Sequence, residues 1–300
     1  FGWFDKKGMR YQRFRRRSTA SLAASSATLS STWQSRHRTI NIHYLLSIML
    51  FDTIVYGPIR SRRLGVSLGI NLMPTTAKLC TFDCVYCECG WNQAVSHPTL
   101  PTREEVREAL ARQLTSMNDS LDVITFSGNG EPTLHPDFLG IIQDTCALRD
   151  QYCPNAKISV LSNSTQLGRS EVVEALLLCD NRILKLDSAI DATMRLIDQP
   201  VNPQLTVEQI CQWLSYFEGD FTLQTCFLRG EYEGQVIDNT TPAELAAWYA
   251  VIERLRPKQV MIYVIDRATP LQTLSKVPAV EMEAIAAPLR DKGIAVIVSA

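Results

Sequence analysis

Six short apolar runs rich in β-branched residues recur along the chain, and longer segments of helical period separate them. The runs are GVSLGINL (65–72), DVITFS (122–127), KISVLS (157–162), RILKLD (182–187), FTLQTCF (221–227) and QVMIYV (259–264). Most are nearly continuous in apolar character rather than alternating, which is the pattern of parallel strands covered on both faces. The helical segments carry clear start signals. Thr102 with Glu105, Thr206 with Gln209 and Thr241 with Glu244 have the spacing of capping boxes, and Pro242 falls at the first helical position. Val106, Leu110, Leu114 and Met117 then share one helix face. PDFLGIIQDTCALRD and SEVVEALLLCD read as two more helices, and the segment from Pro278 reads as a helix with room for one further strand. Strands that alternate with helices predict an α/β fold with a parallel sheet, barrel-like or open.

Composition bounds the rest. Apolar residues at 46% and charged residues at 20% are an ordinary globular balance, and 300 residues allow one large domain or two small ones. The net charge of -1 hides an asymmetry. Residues 1–48 carry nine Lys/Arg against Asp5 alone, so they are +8; the remaining 21 basic and 30 acidic residues make the rest -9. The stretch STASLAASSATLSSTWQS is too poor in large apolar residues to offset chain entropy. An Arg- and Ser-rich, acid-poor segment matches an organelle leader, a nucleic-acid-binding arm or translated upstream sequence. Residues 1–48 are expected to be a disordered or non-native extension, with the ordered domain spanning 49–300 from Met49. The apolar run from Ile42 to Phe51 is too short to cross a bilayer, so a soluble, cytoplasmic protein without membrane partners is expected.

CTFDCVYC, residues 80–87, places Cys80, Cys84 and Cys87 on one short segment. A disulfide framework fits poorly, because the chain is long and its nine cysteines are odd in number. Zinc ribbons use two separated Cys-x-x-Cys pairs, and Cys84-x-x-Cys87 has no second pair. Three soft thiolates on one loop suit a cubane cluster that keeps one iron open, with zinc as the alternative. Cys89 is close enough to tempt as a fourth ligand, but Cys87-x-Cys89 is tight for reaching a separate iron. Cys146, Cys153, Cys179 and Cys211 read as small core residues. Cys226, on the fifth predicted strand, can face inward and serve as a hydrogen-atom donor.

In parallel α/β folds the loops at the carboxyl ends of strands build the site. The cysteine loop follows the first predicted strand. SGNGEP (127–132) follows the second, and its Gly128 and Gly130 allow close backbone approach while Glu131 supplies a carboxylate. Asn163 follows the third, and Asp187 and Ser188 the fourth.

The C-x3-C-x2-C loop with Tyr86 before its last cysteine, followed one strand later by GNGEP, resembles the radical S-adenosylmethionine (SAM) superfamily. YGPIRSRRLGVSLGIN and CTFDCVYCECGWN are most similar to a subgroup near the wyosine-forming tRNA enzymes and the molybdenum- and nitrogenase-cofactor enzymes. The resemblance covers about residues 53–270. It implies a partial (β/α)6 TIM-like barrel holding a [4Fe-4S] cluster on Cys80, Cys84 and Cys87, with the amino and carboxylate groups of SAM on the fourth iron. Gly128, Asn129, Gly130, Glu131 and Pro132 would contact the cofactor, and Asn163, Asp187, Ser188 and Gln224 would lie near its other groups. Many relatives have Gly-Gly-Glu where this chain has Asn129-Gly130-Glu131. The implied activity is reductive cleavage of SAM to a 5′-deoxyadenosyl radical that abstracts hydrogen from a substrate, fed by a flavodoxin or ferredoxin.

A small molecule, a peptide or tRNA remain open as substrate, although polyphosphate binders usually carry a basic face. The competing class is a zinc- or iron–sulfur-bearing binding module without catalysis. A branched side chain at Gly130 is expected to block the cofactor while leaving the cluster assembled. Arg60, Arg62 and Arg63 are candidates for an anionic group, and FLRGEYEG (227–234) for a mobile loop.

Overall fold

All six predicted strands form, and two more join their sheet. The computed structural model describes residues 50–61, 64–93, 98–117 and 120–300. The basic segment 1–48, Met49, Arg62 and Arg63 lie outside them. The main sheet consists of β1 (Val55–Ser61), β2 (Gly65–Ile70), β3 (Val123–Phe126), β4 (Lys157–Ser162), β5 (Asn181–Lys185), β6 (Thr222–Cys226), β9 (Gln259–Tyr263) and β11 (Ala295–Ser299). Its order is β1-β2-β3-β4-β5-β6-β9-β11. From β2 onward every neighbouring pair is parallel, whereas β1 runs antiparallel to β2.

That order never reverses, and the consequence is geometric. Right-handed crossovers put each connecting helix on the same face of such a sheet. A sheet with all its helices on one face must bury the other against itself, so it curls toward a barrel. The two ends, β1 and β11, are not paired with each other, so closure is partial. The strands bury both faces: β3 and β6 are buried throughout, β5 at all but its first residue and β2 over its last four.

The helices are α1 (Arg103–Ser116), α2 (Phe138–Tyr152), α3 (Ser170–Leu178), α4 (Asp191–Asp198), α5 (Val207–Leu214), α6 (Pro242–Leu255) and α7 (Ala279–Asp291). Two capping boxes form as the sequence predicts, at Thr102 with Glu105 and at Thr206 with Gln209. The third does not close. Thr241 caps α6 by accepting from Glu244 N, but the Glu244 carboxylate turns inward and accepts from Ser188 Oγ at 2.7 Å and from Thr193 Oγ1. Two hydroxyl donors in the interior outbid one backbone N–H at the helix end. Trp248 on α6 is fully buried, stacks edge-on against Phe227, and donates from Nε1 to Thr225 Oγ1 at 2.9 Å.

A second, small sheet was not legible from periodicity. It joins β7 (Leu228–Tyr232), β8 (Gln235–Asp238) and β10 (Ser275–Lys276) in the order β10-β7-β8, all antiparallel. The segment read as a mobile loop is therefore a hairpin. Its two-residue turn is Glu233-Gly234, both at positive φ (50° and 76°), the conformation that matches strand twist. Among the described residues no helix is long and apolar enough to cross a membrane.

Candidate functional site

The cysteine loop is fixed from both ends before any ligand is considered. Behind it, buried Asn71 accepts at Oδ1 from Met73 N (3.2 Å) and from Asn129 N (3.0 Å). Leu79 and Gly130 form an isolated parallel bridge, in which Leu79 N donates to Asn129 O (2.9 Å) and Glu131 N donates to Leu79 O (3.1 Å). This bridge joins the residue before Cys80 to the GNGEP loop. On the other side, Asp83 N and Val85 N donate to the carbonyls of Asp198 (2.8 Å) and Ile197 (2.9 Å) at the end of α4. Asn92 Nδ2 holds the middle through the carbonyls of Cys80 (3.2 Å) and Phe82 (3.0 Å). The last turn closes with Cys87 N donating to Cys84 O (3.1 Å).

Two buried lysines flank the thiols. Lys78 Nζ donates to Gly90 O (3.0 Å) and Asp83 Oδ1 (3.2 Å). Burial disfavours its charge, yet Cys87, Cys80 and Asp83 together raise its pKa. Lys185 Nζ reaches Cys84 Sγ at 3.1 Å and pairs with Asp187 (3.1 Å) and Asp198. Burial again opposes the charge, but the two carboxylates hold the ammonium well above the ordinary lysine value. Burial pushes Asp198 up to about 7, with Lys185 opposing. Burial also raises Cys84, and brings Cys80 to about 11. Cys87 goes the other way: the neighbouring Cys89 and the Lys78 ammonium lower it to about 5. A cavity of about 300 Å³ opens beside the loop, lined by Lys78, Cys89, Trp91 and neighbouring residues.

The predicted site residues are brought to this end of the sheet, but several are occupied with scaffolding. Gly128 and Gly130 sit at φ of 141° and 142°. Asn129 is buried and ties the loop to Phe51 O and Pro74 O, each at 2.8 Å. Glu131 accepts from Asn163 N (2.6 Å) and from Thr133, so it links the loops after β3 and β4; burial raises its pKa. Pro132 starts the 3-10 turn that Glu131 caps. Asn163 Nδ2 donates to Thr81 Oγ1 (2.9 Å) and to Cys80 Sγ (3.4 Å). Asp187 accepts from Tyr86 OH and from Cys226 N (2.9 Å). The Ser188 hydroxyl is taken up by Glu244, and Gln224 Nε2 lies 3.7 Å from Met261 Sδ. Cys226 is fully buried in an apolar cluster with Val85, Tyr232 and Ile237, against Tyr86 and Tyr263.

Lys78, Lys185, Asp198, Asn71 and Asn92 were not singled out from sequence. Lys185 did carry a signal. It is a lysine inside the apolar run RILKLD, two residues before Asp187 and therefore on the same strand face. Lys78, two residues before Cys80, carried a weaker one.

Soft thiol donors on one loop, with buried ammoniums beside them, fit an anionic iron–sulfur cluster.

Comparison with known proteins agrees with this arrangement. A UPF0026 protein of Methanocaldococcus jannaschii is 31% identical over 191 residues, covering 63% of this chain and 53% of that protein. A UPF0026 protein of Synechocystis is 32% identical over 226 residues, covering 73% and 77% respectively. The fold is similar to that of SuiB of Streptococcus suis bound to precursor peptide SuiA, with a TM-score of 0.56, 12% identity, and coverage of 77% of this chain and 48% of that one. The chain thus spans about half the length of the archaeal relative and of SuiB. The profile of the radical SAM superfamily matches residues 75–231, more than half of the sequence, and the chain belongs to that superfamily.

Proposed function

We propose that this radical SAM enzyme holds a [4Fe-4S] cluster on Cys80, Cys84 and Cys87 and binds SAM at the iron those thiolates leave open. When bound, the pair supplies reductive cleavage of the sulfonium S–C5′ bond and the radical that abstracts a hydrogen atom from substrate. The observation that carries the reading is the disposition of four neighbouring thiols. Three lie on one loop, with Lys185 Nζ donating to Cys84 Sγ and Asn163 Nδ2 to Cys80 Sγ, while the fourth, Cys89, directs its S–H at the Gly128 carbonyl 3.3 Å away. That leaves no fourth protein thiolate committed to the open iron.

The chain's own residues do the positioning. The Leu79–Gly130 bridge sets the distance between the cysteine loop and the GNGEP loop, and Glu131 fixes the latter against Asn163. Phe82 and Val85, both buried, pack beside Cys84, the buried one of the three thiols. Cys226, buried against Tyr86 and Tyr263, is the candidate hydrogen-atom donor. The charge of -9 over residues 49–300 favours a small molecule or a peptide over tRNA as substrate. SuiB, solved with a precursor peptide, supports the peptide option. A flavodoxin- or ferredoxin-class protein is the reductant.

Anaerobic purification tests this directly. A brown protein with iron and acid-labile sulfide, forming 5′-deoxyadenosine from SAM and dithionite, is expected, and Cys84→Ala abolishes both. A colourless protein that carries zinc and leaves SAM intact overturns the reading in favour of a binding module.

A further inference from the structure

Two of the loop sulfurs have a side-chain donor, and the donors come from different parts of the chain. Lys185, at the end of β5, donates from Nζ to Cys84 Sγ at 3.1 Å. Asn163, after β4, donates from Nδ2 to Cys80 Sγ at 3.4 Å. Lys78, held by Gly90 O at 3.0 Å, adds a second buried positive charge beside Cys87. Lys185 is the most rigidly placed. Asp187 and Asp198 hold its ammonium, the Phe82 and Tyr86 rings lie 4.7 and 5.3 Å from it, and its side chain is 9% exposed.

The reduction potential of an iron–sulfur cluster depends on net charge, on hydrogen bonds to the sulfurs and on solvent exposure. A fixed ammonium against a thiolate acts through the first two at once, with little screening at a buried position. It favours the state with the extra electron. A carboxylate at the same place does the opposite.

We propose that Lys185, anchored by Asp198, is a positioning residue that sets the reduction potential of the cluster, with Asn163 as the accompanying donor and Lys78 as a second buried positive charge. This rests on the reading that the three cysteines hold a cluster. The electron comes from the low-potential reductant. No bond forms or breaks at Lys185, and its proton stays in place.

The test is the midpoint potential of the reconstituted full-length chain, followed anaerobically by electron paramagnetic resonance without substrate, with iron content measured in parallel. Lys185→Met is expected to disfavour reduction by about tenfold, which is about 59 mV for a one-electron couple. Removing the lysine alone leaves two buried carboxylates unpaired, so Lys185→Met/Asp198→Asn is measured beside it and shifts in the same direction. Asp198→Asn alone shifts the potential the opposite way, a sign that loss of packing does not produce. Asn163→Leu, which disturbs no buried charge, gives a smaller fall. Cluster-bearing variants whose potentials are unchanged, or all move together, overturn the inference. If both Lys185 variants lose their iron, Asp198→Asn and Asn163→Leu decide it. Wild-type protein without iron and sulfide instead refutes the cluster reading itself.

Discussion

Replacing Gly130 by alanine strikes the cysteine loop before it reaches any cofactor. A Cβ at this position stands 1.8 Å from Leu79 O, 2.5 Å from Leu79 C and 3.1 Å from Leu79 N. All three are backbone atoms, so no side chain can rotate away. The bridge must open, and its two hydrogen bonds of 2.9 and 3.1 Å are lost, at about 1 kcal/mol each. A φ of 142° adds strain of about 1–3 kcal/mol for any residue but glycine. The total is about 4 kcal/mol, a fall in Tm of roughly 10 °C for a domain of this size. Because Leu79 precedes Cys80, iron binding falls as well. The sequence alone pointed elsewhere, to a blocked cofactor with the cluster intact. Gly234→Ala is the control: φ is 76°, but nothing lies within 4 Å of its Cβ, so only conformational strain of about 1 kcal/mol remains. Thermal unfolding and iron content under anaerobic conditions measure both. Gly130→Ala with wild-type Tm and full iron would refute the argument.

Other substitutions probe separate parts of the molecule. Cys80→Ala, Cys84→Ala and Cys87→Ala should each lose the cluster, whereas Cys89→Ala should keep about four irons per chain; iron assay decides, and equal loss at Cys89 sinks the open-iron arrangement. Trp248→Ala, which empties a buried site and removes one of the two hydrogen bonds of the Thr225 hydroxyl, should cost about 3–5 kcal/mol in denaturant unfolding. Arg103, bonded twice to Asp144 at 2.7 Å, lowers that carboxyl's pKa. A carboxyl with a depressed folded value stabilises above its unfolded value and ceases to do so as pH falls through the folded one. The Tm difference between wild type and Arg103→Ala is therefore expected at neutral pH and should vanish in acid.

The parallel strands were legible because burial on both faces leaves no alternation, and a run such as DVITFS has few other readings. Two helix starts were legible for a local reason, since a capping box is complete within four residues. The third failed because Glu244 answers to Ser188 and Thr193, which are distant in sequence. The small sheet escaped notice because β7 and β8 are short and mix polar with apolar residues. The thiols were legible from spacing alone. The roles of Glu131, Asn129 and Asn163 were not: their side chains look like ligands in the sequence and act as ties between loops in the fold. Lys185 and Asp198 gain meaning only as a pair, and nothing along the chain marks that the end of β5 meets the end of α4.

Val85 and Tyr86 lie between Cys84 and Cys87, and they also belong to the apolar cluster formed with the β7–β8 hairpin. Loading of metal is therefore a matter of timing. Once the hairpin has docked, iron reaches the buried Cys84 only when that cap transiently opens, a local fluctuation less costly than global unfolding. Uptake by a folded apo-chain should then proceed at the opening rate and stop responding to added iron, whereas a chain that is still folding has no such barrier. On the cluster reading, the same cap stands between dioxygen and Cys84, and loosening the hairpin is expected to shorten the cluster's lifetime in air.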